Sequence, residues 1–290
     1  MILVTGANGQ LGRRIVTQLA ARLAASSAPQ PFAVSVRDAT KAQDLADRGI
    51  TVRTADFDQP DTLAAAFAGV DRLVLVSTDG PKDIRIRQHG AAIRAATAAG
   101  VKHIVYTSFL DADAASPAEF AQVHAATEAE LRASGLRLTI LRNTLYSDFL
   151  PMTFGGALQT GVLHLPTGDG RASYLSRDEL AEATAAAALA PQPAQEIYEL
   201  TGPEAVDSAT LAAIVSRVTG KPIRYEPVAE ADYAKALEGF GLPGWLAVAM
   251  GNMYTAVAEG RFAKVTGDFA RLTGHAPQPV EAQVAALFGH

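Results

Sequence analysis

The chain predicts a doubly wound α/β fold, and three observations lead there. Apolar runs of strand length alternate with Ala- and Leu-rich runs of helix length through the first half. The connections between them are short. A glycine triplet, Gly6, Gly9 and Gly12, lies directly between the first strand and the first helix. Apolar strands separated by amphipathic helices are the pattern of a parallel sheet covered on both faces, and right-handed crossovers then wind it outward in both directions.

The strand-like runs are Ile2–Thr5, Phe32–Val36, Ile50–Thr54, Arg72–Ser77, His103–Thr107 and Arg137–Leu141. Between them fall helical runs at Gln10–Ala25, Ala39–Arg48, Asp61–Phe67, Ile84–Ala99 and Pro117–Ser134. Gly49, Gly69, Gly100 and Gly135 each follow a helical run, where a left-handed C-cap is wanted. After Asn143 the rhythm changes. Thr144–Arg171 carries seven Gly and Pro residues and reads as loop with one short helix. Ser176–Glu179 reads as a capping box opening a helix to Leu189, followed by a strand at Glu196–Thr201. Further helices are expected at Asp207–Thr219, Ala229–Glu238, Pro243–Glu259 and Pro279–Phe288. This gives a first domain over 1–143, which also receives 172–201, and a smaller, mostly helical domain over 144–290. The substrate pocket is expected between them, since ligands of such sheets sit outside the carboxyl ends of the strands.

The 290 residues suffice for a large buried core, and 49% hydrophobic with 19% charged residues is the balance of a globular enzyme. A net charge of −5 with no Lys/Arg block argues against a nucleic-acid partner. With no cysteine there can be no disulfide, thiolate chemistry or cysteine-held zinc or iron–sulfur cluster. The histidines at 89, 103, 124, 164, 275 and 290 are scattered, so no metal site is expected. The N-terminus reads as strand and no apolar stretch spans a bilayer, so a cytoplasmic protein without membrane partner is expected. The apolar run 245–257 reads as core or as a homodimer face.

The glycine motif, Thr5-Gly-Ala-Asn-Gly-Gln-Leu-Gly12, points to a dinucleotide. Gly6 permits the tight turn, Gly9 lets a pyrophosphate approach bare backbone, and Gly12 lets helix pack on sheet. The helix N-terminus offers N–H groups and a positive dipole end to phosphate, which places Asn8, Gln10 and Leu11 at the cofactor as well. The second strand decides between the two nicotinamide nucleotides. Arg37 takes its tip, where an NAD-selective site keeps an acid for the ribose 2′-hydroxyl and a 2′-phosphate wants Arg. Asp38 follows one residue late, and Lys41 adds charge nearby. NADPH/NADP+ is therefore expected over NADH, unless Arg37 merely pairs with Asp38. Asp56 could accept from the adenine amino group with Phe57 beside the ring, or cap the helix that starts near Pro60. Ser77 and Thr78 should approach the cofactor's middle, and Thr107 and Ser108 its ribose or the substrate.

Thr5–Gly12, Val36-Arg37, Val101–Ser108, His124-Ala-Ala-Thr-Glu128 and Leu141-Arg-Asn143 together resemble the NmrA-like branch of the atypical short-chain dehydrogenases. The likeness runs nearly end to end, and within that branch is nearest to the bacterial quinone and triphenylmethane-dye reductases. It implies an NAD(P)-binding Rossmann domain with a small C-terminal domain, NADPH as reductant, no flavin, and a small electrophilic, quinone-like acceptor.

Ordinary short-chain dehydrogenases use a Tyr-x-x-x-Lys pair in which the Tyr moves the proton. No such pair occurs here: Tyr106 is followed at that spacing by Leu110, Tyr146 by Leu150 and Tyr254 by Ala258. The expected helix carries His124 and Glu128 instead, four residues apart and on one face. His124 reads as a hydrogen-bond donor to the developing oxyanion or as a ribose contact, with Glu128 orienting its ring, or as an ordinary helix-surface pair. Asn143 could hold the nicotinamide carboxamide or the acceptor, or stabilise its own turn. Arg142 reads as a structural ion pair and Tyr106 as interior packing. Tyr146 and Phe149 are candidates for the aromatic wall of a flat acceptor pocket, or simple packing. The functions that remain are direct hydride transfer from NADPH to a quinone-like acceptor, reduction of cationic dyes or imines, and a nucleotide sensor without turnover.

Overall fold

The computed structural model describes residues 1–26, 30–191 and 195–289, so His290 lies outside the described residues. The chain divides into two compact units. The first comprises Met1–Ser108, Val123–Arg142 and Arg177–Tyr198, the second Phe109–Gln122, Asn143–Ser176 and Glu199–His290.

In the first unit, strands β1 (Ile2–Val4), β2 (Phe32–Val36), β3 (Thr51–Thr54), β4 (Arg72–Leu75), β5 (His103–Phe109) and β6 (Arg137–Asn143) alternate with helices α1 (Gln10–Ala24), α2 (Gln43–Asp47), α3 (Pro60–Phe67), α4 (Lys82–Ala98) and α5 (Glu119–Ala133). A later helix and strand, α8 (Arg177–Leu189) and β10 (Ile197–Leu200), return to complete a seven-stranded sheet of order β10-β6-β5-β4-β1-β2-β3. The registers of β1 with β2 and β4, of β2 with β3 and of β4 with β5 are parallel. Order reverses at β1, whose neighbours are β2 and β4. The carboxyl ends of β1 and β4 therefore form the switch point where such folds take ligands.

Strand alternation sorts the sheet's two faces. Leu3, Leu73, Leu75, Ile104, Tyr106, Leu138 and Ile140 are buried in one cluster with Leu63, Phe67, Ala92, Ile93, Ala96 and Leu131 from α3, α4 and α5. Helices α1 and α8 pack together, tied by Arg14–Asp178 at 2.9 Å and Arg22–Glu182 at 2.9 Å.

The expected elements of this half are present with ends shifted, β1 and β4 being shorter and β5 and β6 each two residues longer, and with one revision. The run 39–48 is a 3-10 turn at Ala39–Ala42 followed by the five-residue α2, because Asp38 bonds the Thr40 amide and holds the chain in a tight turn first. The segment 109–122, expected in the first domain, packs with the second unit: Leu110, Ala118 and Ala121 are buried among Leu145, Leu150, Phe154 and Phe262.

The second unit holds more strand than the sequence announces. Strands β7 (Leu145–Tyr146), β9 (Arg171–Leu175) and β11 (Ala205–Asp207) form one small sheet, and β8 (Val162–Leu165) pairs with β12 (Arg224–Pro227). Helices α6 (Leu150–Phe154), α7 (Ala157–Thr160), α9 (Ser208–Thr219), α10 (Glu230–Gly239), α11 (Gly244–Ala258), α12 (Asp268–Thr273) and α13 (Val280–Phe288) complete it. Within it α10 packs on α11 and α9 on α13. The buried Ala247, Ala249, Tyr254, Ala256 and Val257 make α11 largely core, while Trp245 and Val248 are exposed.

Helix α1 approaches the loop after β1 closely enough to exclude a side chain at Gly12. A Cβ on Gly12 would collide with the Gly6 carbonyl oxygen and lie 2.8 Å from its carbon. Gly12→Ala is expected to lower stability by about 1–3 kcal/mol through overpacking against backbone. Urea unfolding should show a lower midpoint at unchanged slope; an unshifted midpoint would mean that the loop yields freely.

Candidate functional site

At the switch point Gly6 adopts φ +62°, and the Gly9 amide donates to its carbonyl at 2.9 Å, closing the turn. Gly9 is the N-cap of α1 and supplies no side-chain cap, and the helix's first carbonyl bond is Arg13 N–H to Gly9 O at 2.9 Å. The amides of Gln10, Leu11 and Gly12 precede that bond, so they have no carbonyl within the helix to satisfy them. Gly6, Asn8, Gly9 and Gln10 are exposed and Leu11 is buried, which leaves bare backbone at the helix's positive end. The strand ends are cross-braced beneath. The Thr5 hydroxyl accepts from the Val76 amide at 3.0 Å, and the Thr107 hydroxyl from the Ser77 amide at 2.9 Å. Thr78 donates its amide to His89 Nε2 at 3.0 Å.

Arg37, at the end of β2, is exposed and has no hydrogen-bond or ion-pair partner among the described residues. The alternative in which it pairs with Asp38 does not occur. Asp38 instead accepts from the Thr40 amide at 3.0 Å and its hydroxyl at 2.5 Å, and Lys41 Nζ lies 3.9 Å away. The Thr40 bonds hold the Asp38 carboxyl below its ordinary pKa. A cross-tie joins this tip to the glycine loop. Asn8 donates to the Asp38 carbonyl at 3.3 Å; Arg13 bonds Asn8 Oδ1 at 3.0 Å, the Lys41 carbonyl at 3.3 Å and the Asp44 carboxylate. Asp56 is engaged locally, accepting from the Asp58 amide at 3.0 Å and from Gln59 at 3.2 Å, in the turn leading into α3. Phe57 packs against the first unit's core.

Helix α5 carries His124 and Glu128 on one face, yet the two serve separate networks. Glu128 is 1% exposed and accepts from Ser108 at 2.7 Å, from Arg142 Nε at 2.9 Å and NH2 at 2.7 Å, and from Arg132 at 3.0 Å. It bolts β5, β6 and α5 together and does not orient His124, which corrects the expected pairing. Two cations and a hydroxyl are what a buried carboxylate requires. The Ser108 proton is thereby committed to Glu128.

His124 is also buried. Its Nε2 faces the Arg85 guanidinium at 3.2 Å and its Nδ1 the Tyr106 hydroxyl at 2.7 Å. A guanidinium can only donate, so Nε2 accepts and Nδ1 carries the proton toward Tyr106. By the same logic His89 accepts the Thr78 amide at Nε2 and donates from Nδ1 to Thr127 at 2.9 Å. Burial, with Arg85 next, pushes His89 down to about 3, and burial and Arg85 push His124 well below its ordinary range. Both rings are neutral at physiological pH.

In the second unit Asn143 is fully buried. One end of its amide bonds the Tyr146 hydroxyl at 3.2 Å and the other end has no partner, which leaves hydrogen-bonding capacity for one further group. The Tyr146 and Phe149 rings stack at 6.1 Å with planes 8° apart, and Phe149 is 45% exposed. Reasoning from the sequence missed Arg85, His89, Thr127, Arg13 and Asp44. Of these only the Asn8–Arg13 spacing carries a signal, since five residues span the turn into a helix. Among the described residues no cluster of three or more acidic or histidine side chains could hold a metal ion, and no helix is long and apolar enough to cross a membrane.

The model of the NmrA-like family matches residues 1–278. An NADPH-dependent quinone oxidoreductase of Escherichia coli, solved with NADPH, superposes with TM-score 0.92 at 36% identity, covering 99% of this chain and 100% of that one. A triphenylmethane reductase of Citrobacter sp., solved with NADP(H), gives 0.91 at 33% identity over 99% and 100%. An NAD(P)H azoreductase of Xenophilus azovorans is 31% identical over 274 residues, 94% of this chain and 93% of its own.

Two outcomes follow from the buried groups. Glu128→Gln leaves two guanidinium groups short of their carboxylate and is expected to cost about 3–5 kcal/mol in urea unfolding; a loss below about 1 kcal/mol would mean that the node is solvated. The native rings of His89, about 3, and His103, lowered by burial and by Arg72 and Arg137 to about 4, stay unprotonated where the unfolded chain, titrating near 6.5, takes up protons. The unfolded state therefore binds more protons as pH falls below 6.5. Stability should drop from pH 6.5 to 5 with a limiting slope of about 1.4 kcal/mol per pH unit for each such ring. Flat stability over that window would contradict neutral burial.

Proposed function

Because this chain belongs to the NmrA-like family, we propose that it is an NADPH-dependent oxidoreductase that delivers hydride to a quinone or a similarly electrophilic small molecule. The observation that carries the cofactor choice is Arg37: an exposed guanidinium without partner at the end of β2, beside an acid already committed to Thr40. An acid in that place would repel a 2′-phosphate; a free guanidinium binds one with charge-assisted hydrogen bonds.

The residues fit a dinucleotide. The loop is stripped of side chains where Gly12 meets Gly6, and the first α1 amides are without helical acceptors. Gly6, Asn8, Gly9, Gln10, Leu11 and Gly12 would hold the pyrophosphate, Arg37 the 2′-phosphate, and Ser77, Thr78 and Thr107 would border the ribose. Asp56 and Phe57 would flank the adenine from the turn after β3. The bound nicotinamide supplies the hydride. What this chain contributes is orientation, which for a strong hydride acceptor provides most of the rate.

The acceptor follows from proton supply. A quinone takes up a hydride and one proton to become a quinol. His124 and His89 have both nitrogens engaged and are neutral, and Ser108 is bonded to Glu128, so the proton comes from solvent. Such an arrangement suits an acceptor that needs no acid at the moment of transfer. His124 then acts by holding Tyr106, and Glu128 by holding the ends of β5 and β6. Asn143, with one open amide end, and the Tyr146–Phe149 pair offer a flat acceptor a polar contact and an aromatic surface.

The test is loss of NADPH absorbance on mixing the protein with a panel of benzoquinones, naphthoquinones, azo dyes and triphenylmethane dyes, repeated with NADH. Turnover with quinones and NADPH is expected. Tight nucleotide binding without turnover on any acceptor would replace this reading by a nucleotide sensor. Arg37→Glu should weaken NADPH by roughly 10–100-fold, the worth of a charged hydrogen bond, and leave NADH nearly unchanged; an unaltered NADPH preference would remove Arg37 from the site.

A further inference from the structure

We infer that Arg13 is a positioning residue for nucleotide selectivity. With Asn8 and Asp44 it ties the glycine loop to the tip of β2 and so fixes the spacing between the pyrophosphate-binding amides and Arg37. The inference rests on the NADPH reading above and deepens it.

Arg37 has no side-chain partner among the described residues, so only its backbone decides where its guanidinium starts from. That backbone is held from the glycine loop: Asn8 Nδ2 donates to the carbonyl of Asp38, the next residue, at 3.3 Å. Asn8 is itself held by Arg13 NH2 on its Oδ1 at 3.0 Å. The same nitrogen donates to the Lys41 carbonyl at 3.3 Å, and the other terminal nitrogen pairs with Asp44 in α2. One planar fork thus joins α1, the glycine loop, the 3-10 turn after β2, and α2. The Arg13 bond also holds the Asp44 carboxyl below its usual range, so the acid stays ionised and paired.

An isolated surface ion pair would contribute little. This one spans the two places that a 2′-phosphorylated dinucleotide must touch at once. The pyrophosphate and the 2′-phosphate sit on one ribose and its linkage, so the protein groups that take them have to stand at one distance. A nucleotide lacking the 2′-phosphate uses only the loop and is indifferent to that distance. Breaking the tie therefore penalises NADP+ and spares NAD+. Lysine keeps the charge of Arg13 but cannot bond two oxygens and a carboxylate from one rigid plane, so Arg13→Lys separates positioning from charge.

Isothermal titration with NADP+ and with NAD+ tests this on the parent chain, Arg13→Lys, Arg13→Gln, Arg37→Gln and the double variant Arg13→Lys/Arg37→Gln, with the unfolding midpoint of each measured alongside. Arg13→Lys and Arg13→Gln are each expected to weaken NADP+ by about 5–10-fold and NAD+ by less than about 2-fold, and Arg13→Lys to add no loss once Arg37 is gone. NADP+ affinity kept by Arg13→Lys and lost only by Arg13→Gln would reduce Arg13 to a charge. Equal losses for both nucleotides, or losses that add in the double variant, would reduce it to loop support. A parent chain with no preference for NADP+ overturns the cofactor reading itself, and this inference with it. The other failures leave that reading intact.

Discussion

The backbone-to-backbone approach of α1 onto the Gly6 carbonyl underlies the chemistry of the first unit. A helix can lay its unsatisfied amides open beside a strand end only if nothing stands between helix and loop. At Gly12 even a methyl group would collide with the Gly6 carbonyl. The positive φ of Gly6 turns the chain sharply enough to bring that carbonyl there, and the Gly9 amide closes the turn on it. The same approach carries Arg13, one residue beyond Gly12, to the edge of the loop, where its fork reaches Asn8 and the turn after β2. On the reading proposed above, pyrophosphate binding and its selectivity thus depend on one contact that three glycines make possible.

Behind that loop the sheet's other strand ends are fixed by buried polar groups. The place of the Tyr–Lys pair of ordinary short-chain dehydrogenases is taken by two independent assemblies on one helix. Glu128 with Arg142, Arg132 and Ser108 is ionic and braces strands. His124 with Tyr106 and Arg85 is a neutral ring against a cation, and its hydrogen bonds run in one direction because a guanidinium only donates. Interior charge is costly unless paired, so each assembly tolerates little substitution even where no ligand touches it.

The alternation of the first half was legible because its inner strands are apolar and buried and because α2, α3, α4 and α5 are each followed by a glycine; Gly49, Gly69, Gly100 and Gly135 all take positive φ. The place of Arg37 at the end of β2 was legible too, since a strand end is marked locally by where the apolar run stops. The small strands of the second unit were not. β7, β8, β11 and β12 are two to four residues long and pair with segments well removed in sequence, so no local period marks them. The partner of Glu128 was misjudged for a related reason. Spacing of four puts His124 on the same face, but the carboxylate's bonds reach to β5 and β6, and helical periodicity says nothing of what lies across a packed interface. Segment 109–122 was placed in the wrong half because its helix start continues the α/β rhythm while Leu110, Ala118 and Ala121 face another core.

Proton economy connects these buried groups to the class of reaction. A dehydrogenase acting on alcohols must carry away a proton of high pKa as hydride leaves, and so keeps a titratable group in contact with the substrate. Here the groups that could do so are withdrawn. Burial and Arg85 hold both rings neutral, and each nitrogen already has a partner. On the reading proposed above, an enzyme so built suits acceptors that need no acid at the moment of hydride transfer. A quinone or azo compound gains negative charge that water can neutralise afterward, whereas a triphenylmethane cation is itself neutralised by the hydride and takes up no proton. On that reading, a buried network that supplies no acid leaves discrimination among such acceptors to shape and stacking. The stacked Tyr146 and Phe149 rings and the open amide of Asn143 would be groups of that kind.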